Sequence, residues 1–166
     1  MQVLKFGGSS VASSESINNV ADIIVNKSKI DKTIVVVSAF GGITDMLLEA
    51  ARLAAGKDEI YKTILHQIEQ RHLDTVKELL PIVQQSSVLG LSKKLCNEIE
   101  DLCNGVFLLG ELSDRTQDRI VSYGELISSQ IIAAKLKSVS PDVEWKDARD
   151  LIITNSHFGA ALVNFA

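Results

Sequence analysis

Cysteine is scarce in this sequence. Cys96 and Cys103 are the two among 166 residues, and they lie seven positions apart in a helical pattern. That spacing separates them by about 10 Å along a helix axis, too far for a disulfide, so a reducing, cytoplasmic setting is expected. Basic charge is not in excess either: 17 Lys and Arg stand against 21 Asp and Glu, for a formal net charge of −4. With no basic stripe, a nucleic-acid partner is not expected. No apolar run approaches the ~20 residues of a membrane-spanning helix, and the N-terminus lacks the basic region, apolar stretch and cleavage site of a secretory leader. The expectation is a chain neither exported nor inserted in a membrane. His66, His72 and His157 follow no metal-ligand spacing, so no metal-binding residue is assigned. The strings GxxxxGKS/T and GxGxxG are absent from the positions that would matter, which removes the P-loop and Rossmann dinucleotide classes. Low-complexity segments and linkers are also lacking. The length fits one domain or a large part of one.

What is present begins with a short strand at Val3–Phe6, stopped by Gly7-Gly8. From Ser14 to Lys29, Ile17, Val20, Ile23 and Ile24 recur at helical spacing, with Ser13 as a plausible N-cap. The β-branched run Thr33–Val37 predicts a strand buried on both faces, as in a parallel sheet covered by helices. Strand, helix and strand make a βαβ unit. A second glycine turn, Ser38-Ala39-Phe40-Gly41-Gly42-Ile43-Thr44-Asp45, leads into a helix over Met46–Ala55. The middle then changes character. Helical stripes over Asp58–Leu80, closed by Pro81, and over Val88–Leu109 predict a helical hairpin packed on the domain. A further helix capped by Ser113 or Asp114 runs to about Ser138, before Pro141. Val143–Trp145 reads as a short strand and Leu151–Thr154 as a second one.

The chemistry concentrates in the glycine turns. If Lys5-Phe6-Gly7-Gly8-Ser9-Ser10 sits at the carboxyl end of the first strand of a parallel sheet, it occupies the edge where ligands bind in open α/β sheets. Residues without Cβ let backbone N–H groups approach an anion, a following helix adds its positive end, and Lys5 adds a full charge. A polyphosphate fits there; by spacing alone, so does a tight turn with a surface lysine. The second turn offers another nest of N–H groups and the hydroxyls of Ser38 and Thr44, suited to a carboxylate. A turn with Thr44 or Asp45 as N-cap accounts for it equally. Gly124 lies inside a helical pattern, where glycine marks close packing or close approach of a ligand. Beside it, Glu125 is either a solvent-exposed carboxylate or the partner of an ammonium. Cys96 and Cys103 share a stripe with leucines, as buried small hydrophobes do.

Three of these stretches, VLKFGGSSVA (Val3–Ala12), VVVSAFGGITD (Val35–Asp45) and RIVSYGELISS (Arg119–Ser129), resemble in order and spacing the aspartokinases of the amino-acid kinase family. The helical middle and WKDARDLI (Trp145–Ile152) are most similar to the kinase portion of bifunctional aspartokinase/homoserine dehydrogenases. The resemblance implies the N-terminal part of a three-layer αβα, carbamate-kinase-like fold with a mainly parallel sheet and a helical hairpin insertion. It implies phosphoryl transfer from ATP, with Mg2+ on the nucleotide, to the side-chain carboxylate of L-aspartate, giving 4-phospho-L-aspartate at the start of threonine, lysine and methionine synthesis. Carried onto this sequence, Lys5 would steady the transferred phosphoryl group as the catalytic residue, with Gly7, Gly8 and Ser9 around the phosphates. Ser38 and Thr44 would hold aspartate, and Glu125 its amino group. A homo-oligomer is expected. The family's later glycine-rich motif, its substrate-carboxylate arginine and most of its adenosine pocket have no counterpart in residues 1–166, so an incomplete catalytic domain, inactive by itself, is expected. A kinase of another acidic amino acid such as glutamate and a non-catalytic assembly module are the alternatives.

Overall fold

The computed structural model describes residues 1–165. Strand β1 (Gln2–Phe6) and strand β2 (Thr33–Val37) pair in parallel, from Gln2 opposite Thr33 to Phe6 opposite Val37. Helix α1 (Ser14–Ser28) connects them, completing the βαβ unit. The Ser13 side chain caps α1 by accepting from the Ser16 amide at 3.2 Å. Four further helices follow among the described residues: α2 (Ile43–Ala55), α3 (Ile60–Leu79), α4 (Ile82–Leu109) and α5 (Asp114–Val139). The predicted hairpin is α3 and α4, which pack on each other and on α2 and α5. None of the described helices is long and apolar enough to cross a membrane.

Strand alternation sends Leu4, Phe6, Val35 and Val37 toward the helices, where they pack on the core. Val3, Ile34 and Val36 point the other way and remain 61%, 48% and 45% exposed. Burial of β2 on both faces is therefore corrected to burial on one. An uninterrupted apolar run reads the same in both cases, because the pattern records side-chain type and not what lies opposite.

Ile17, Ile43, Leu47, Ile68, Ile99, Ile120, Ile127 and Ile131 are fully buried in one continuous core. Burying each such side chain contributes roughly 1.5–3 kcal/mol, and these residues recur at the helical spacing visible in the sequence. Cys96 and Cys103 are free and buried. Burial pushes their thiols up to about 12 and about 11, so neither supplies a thiolate near neutral pH.

Several local features differ from expectation. Helix α4 begins at Ile82, directly after Pro81, and not near Val88. Its first turns expose Ile82 and Val83 to solvent, so no inward stripe signals them. Gly42, in the left-handed conformation at φ +83, caps α2 in place of Thr44 or Asp45, which fall within its first turn. Val143–Trp145 forms no strand; Trp145 instead donates its indole N–H to Ser129 Oγ at 3.1 Å. Of Leu151–Thr154, just Thr154 pairs, in an isolated antiparallel bridge to Val163.

His72 of α3 is wholly inaccessible and stacks on Phe40, with ring centroids 5.1 Å apart. Its Nδ1 donates to the Ile68 carbonyl at 2.7 Å, and its Nε2 has no partner among the described residues. Desolvation, aided by the neighbouring Arg71 cation, lowers its pKa from 6.5 to about 4. Below pH 6.5 the unfolded chain takes up a proton that the folded chain refuses. This contribution to stability is complete above pH 6.5 and declines as pH falls toward 4. The expected loss across that window is about 3 kcal/mol. Urea unfolding of the parent and of His72→Phe at pH 7 and pH 4 checks this: equal losses in both proteins would assign the acid sensitivity elsewhere.

Candidate functional site

Because β1 and β2 run parallel, both carboxyl ends emerge at one sheet edge, and the two glycine turns meet there. The Ser38 amide donates to the Phe6 carbonyl at 3.0 Å, extending the strand pairing by one rung. Beyond it the turns touch backbone to backbone. A Cβ on Gly8 would stand 3.2 Å from the Ala39 carbonyl oxygen and 3.5 Å from Gly41 Cα. A Cβ on Gly41 would stand 3.1 Å from both the Gly8 carbonyl oxygen and Ala12 Cβ. Both contacts are tighter than side-chain carbons ordinarily make, so a methyl group at either glycine would push the facing turn away by a few tenths of an ångström.

Gly7 differs. Its φ of −76 and ψ of 171 suit any residue, and a Cβ there would have no neighbour within 4 Å. The chain after it makes a four-residue 3-10 turn (Gly8–Val11), and α1 starts only at Ser14. The helix therefore starts at Ser14 with Ser13 as its cap, as its sequence pattern predicts, and the short turn separates it from the glycine pair. Lys5, paired with Val36 across the sheet, projects from the open face and is exposed. Its side chain makes no hydrogen bond or ion pair among the described residues, so its ammonium stands free near the carboxyl end of β1.

Helix α5 supports the second turn from the opposite side. Glu125 is half-buried, and its Oε1 accepts the Ala39 amide at 3.3 Å. Ser128, one turn on, donates its hydroxyl to the Ser38 carbonyl at 2.8 Å. Gly124 allows this approach: a Cβ there would come 2.9 Å from Ala39 Cβ and 3.3 Å from Leu47 Cδ1. Its place inside a helix is explained by packing against the turn. Thr44 lies half-buried in the first turn of α2, where helix N–H groups lack intrahelical acceptors and a negative group is favoured.

The structure places Lys5 at the end of β1, Gly7, Gly8 and Ser9 on the turn behind it, Ser38 on the second turn, Thr44 in the first turn of α2 and Glu125 beside the second turn. Two participants went unread in the sequence. Ser128 lies three residues from Glu125 on the same helix, a spacing that could have revealed it. Arg71 donates to the Gly41 carbonyl at 2.6 Å and the Ala12 carbonyl at 3.0 Å, and no spacing in its own helix marks it. His66 and His157 take no part in this edge. Among the described residues no group of three His, Cys, Asp or Glu side chains is placed to hold a metal ion.

A two-stranded parallel unit with paired glycine turns at one edge and helices on one face is an α/β architecture. The model of the amino acid kinase family matches residues 1–162, and the chain belongs to that family. Among its relatives, aspartokinase 1, chloroplastic, of Arabidopsis thaliana is 36% identical over 162 residues, covering 94% of this chain and 27% of that protein. The bifunctional aspartokinase/homoserine dehydrogenase 2, chloroplastic, of the same plant is 30% identical over 153 residues, 92% of this chain and 17% of that protein. The crystal structure of E. coli aspartokinase III in complex with aspartate and ADP superposes with a TM-score of 0.85 at 28% identity, over 98% of this chain and 34% of that one. The chain thus spans between 17% and 34% of the length of these proteins.

The glycine contacts separate packing from ligand approach. Gly8→Ala is expected to lose roughly 1–3 kcal/mol of stability, because the added methyl group meets main chain that cannot rotate away. Gly7→Ala is expected to unfold with the parent. Urea denaturation of both variants checks the contrast; parent-like stability of Gly8→Ala would show that the turns need no glycine there.

Proposed function

We propose that this chain carries the aspartate-binding and phosphate-binding turns of an ATP-dependent aspartate kinase. The observation that carries the reading is the direct contact of the two glycine turns, with Lys5 at one and Glu125 at the other. A donor phosphate and an acceptor carboxylate held on touching turns are already close, and proximity of that kind supplies much of the catalysis in phosphoryl transfer. The relatives named as aspartokinases support this choice of substrate.

In the reaction proposed, an oxygen of the aspartate side-chain carboxylate attacks the γ-phosphorus of ATP. The bond to the bridging oxygen breaks, and its electron pair leaves with ADP. Lys5 neutralises the equatorial oxygens as charge moves, and the amides of Gly7, Gly8 and Ser9 receive the phosphates. Ser38 and Thr44 hold aspartate by their hydroxyls, and Glu125 meets its ammonium. Mg2+ would arrive on the nucleotide phosphates, in keeping with its preference for phosphate and water oxygens and with the lack of a three-ligand cluster among the described residues. The three-layer αβα architecture and a cytoplasmic location belong to the same proposal, the latter supported by two free cysteines.

A second reading has its own observation. Val3, Ile34 and Val36 form an exposed apolar patch on the open sheet face, as a homo-oligomer or assembly contact would use. A strictly monomeric protein in light scattering would remove it.

Calorimetric titration with L-aspartate and with MgATP tests the principal reading. L-aspartate is expected to bind in preference to L-glutamate, with Glu125→Gln weakening it roughly tenfold, the effect of losing one charged hydrogen bond. Lys5→Ala is expected to weaken MgATP and leave aspartate unchanged. Indifference of aspartate binding to Glu125→Gln, or of MgATP binding to Lys5→Ala, would remove the residue concerned from the site.

A further inference from the structure

We propose that Arg71 is a positioning residue whose guanidinium clamps the two glycine turns to each other and aims the Gly42 amide toward the acceptor substrate. The proposal rests on the reading of this edge as the site of an acidic amino-acid substrate. It stands on a contact that comes from α3, an element outside the βαβ unit.

Arg71 Nη1 donates to the Gly41 carbonyl at 2.6 Å and Nη2 to the Ala12 carbonyl at 3.0 Å. Gly41 belongs to the second turn, and Ala12 directly follows the 3-10 turn after β1. The two donors belong to one rigid planar fork, so the distance between the two carbonyls is set by the side chain itself. A lysine ammonium on a flexible stem imposes no such spacing.

The clamp also sets the direction of a peptide group. The Gly41–Gly42 bond is trans, so its N–H points opposite to its C=O. With the carbonyl drawn to Arg71, the Gly42 N–H faces away from α3. A carbonyl turned the other way would oppose a carboxylate. The glycine at position 42, with φ +83, permits the turn. The adjacent His72 stacks on Phe40 of the same turn, so consecutive residues of α3 hold it by polar and by apolar contact. Arg71 forms no ion pair among the described residues, and its positive charge adds to the potential at a site for anions.

Amide hydrogen exchange and L-aspartate titration of the parent, Arg71→Ala and Arg71→Lys test this. In Arg71→Ala, amides at Gly41–Thr44 and at Ala12–Ser13 are expected to exchange roughly tenfold faster, while those near Ile99 in α4 are unchanged. Aspartate affinity is expected to fall roughly tenfold, the cost of one lost charge-assisted hydrogen bond, and to recover when millimolar guanidinium is added. Arg71→Lys is expected to protect one turn and not both, and it carries the comparison if Arg71→Ala does not fold. Unchanged exchange at either turn in Arg71→Ala, or protection of both by lysine, overturns the clamp. Loosened turns with parental aspartate affinity overturn the aiming role. A parent that binds no aspartate overturns the substrate reading and the aiming role with it, while the exchange rates still decide the clamp.

Discussion

Parallel pairing of two five-residue strands is the constraint on which the rest of the structure depends. It brings two chain reversals to one edge, and the added Ser38–Phe6 rung draws them into contact. Once they touch, a side chain at Gly8 or Gly41 would crowd the facing turn. The main chain is then bare where the proposed anionic ligand would need N–H groups. Tight packing of the turns and their exposed main chain follow here from one geometric cause.

The helices convert that contact into a fixed site. From one side α5 brings Glu125 and Ser128 to the second turn, with Gly124 clearing the way. From the other side α3 brings Arg71 to main-chain carbonyls and His72 to the ring of Phe40. The turn from Ser38 to Gly42 is thereby held at nearly every residue. Binding a small anion to preset donors avoids the entropy of ordering them. His72 also shows the price of this packing, since its buried Nε2 finds no partner among the described residues.

Much of this was legible from the residues. The β-branched run, the 3.6-residue stripes and the caps Ser13 and Ser113 mark elements that the structure contains. The motifs led to the aspartokinases, to which the family match and the relatives also point. Where expectation failed, local information was insufficient. Ile82 and Val83 open α4 without an inward stripe. Gly42 caps α2 through a left-handed conformation, although Thr44 and Asp45 are the more usual capping residues. Val143–Trp145 has strand-like residues, but it joins no strand among the described residues, and Trp145 bonds to Ser129 instead.

The sequence by itself determined the two paired strands and the bodies of the five long helices, because backbone preference and apolar periodicity act over a few neighbouring residues. It also marked Lys5, the glycine pairs and Glu125 as chemically unusual for their positions. Tertiary structure alone decided that Gly8 must be small while Gly7 need not be, since the obstructing atoms belong to Ala39 and Gly41. It alone decided that Arg71, 30 residues from Gly41 and 59 from Ala12, reaches both. Contacts over such separations depend on how whole helices pack, and that packing is a property of the assembled core and not of any short stretch of chain.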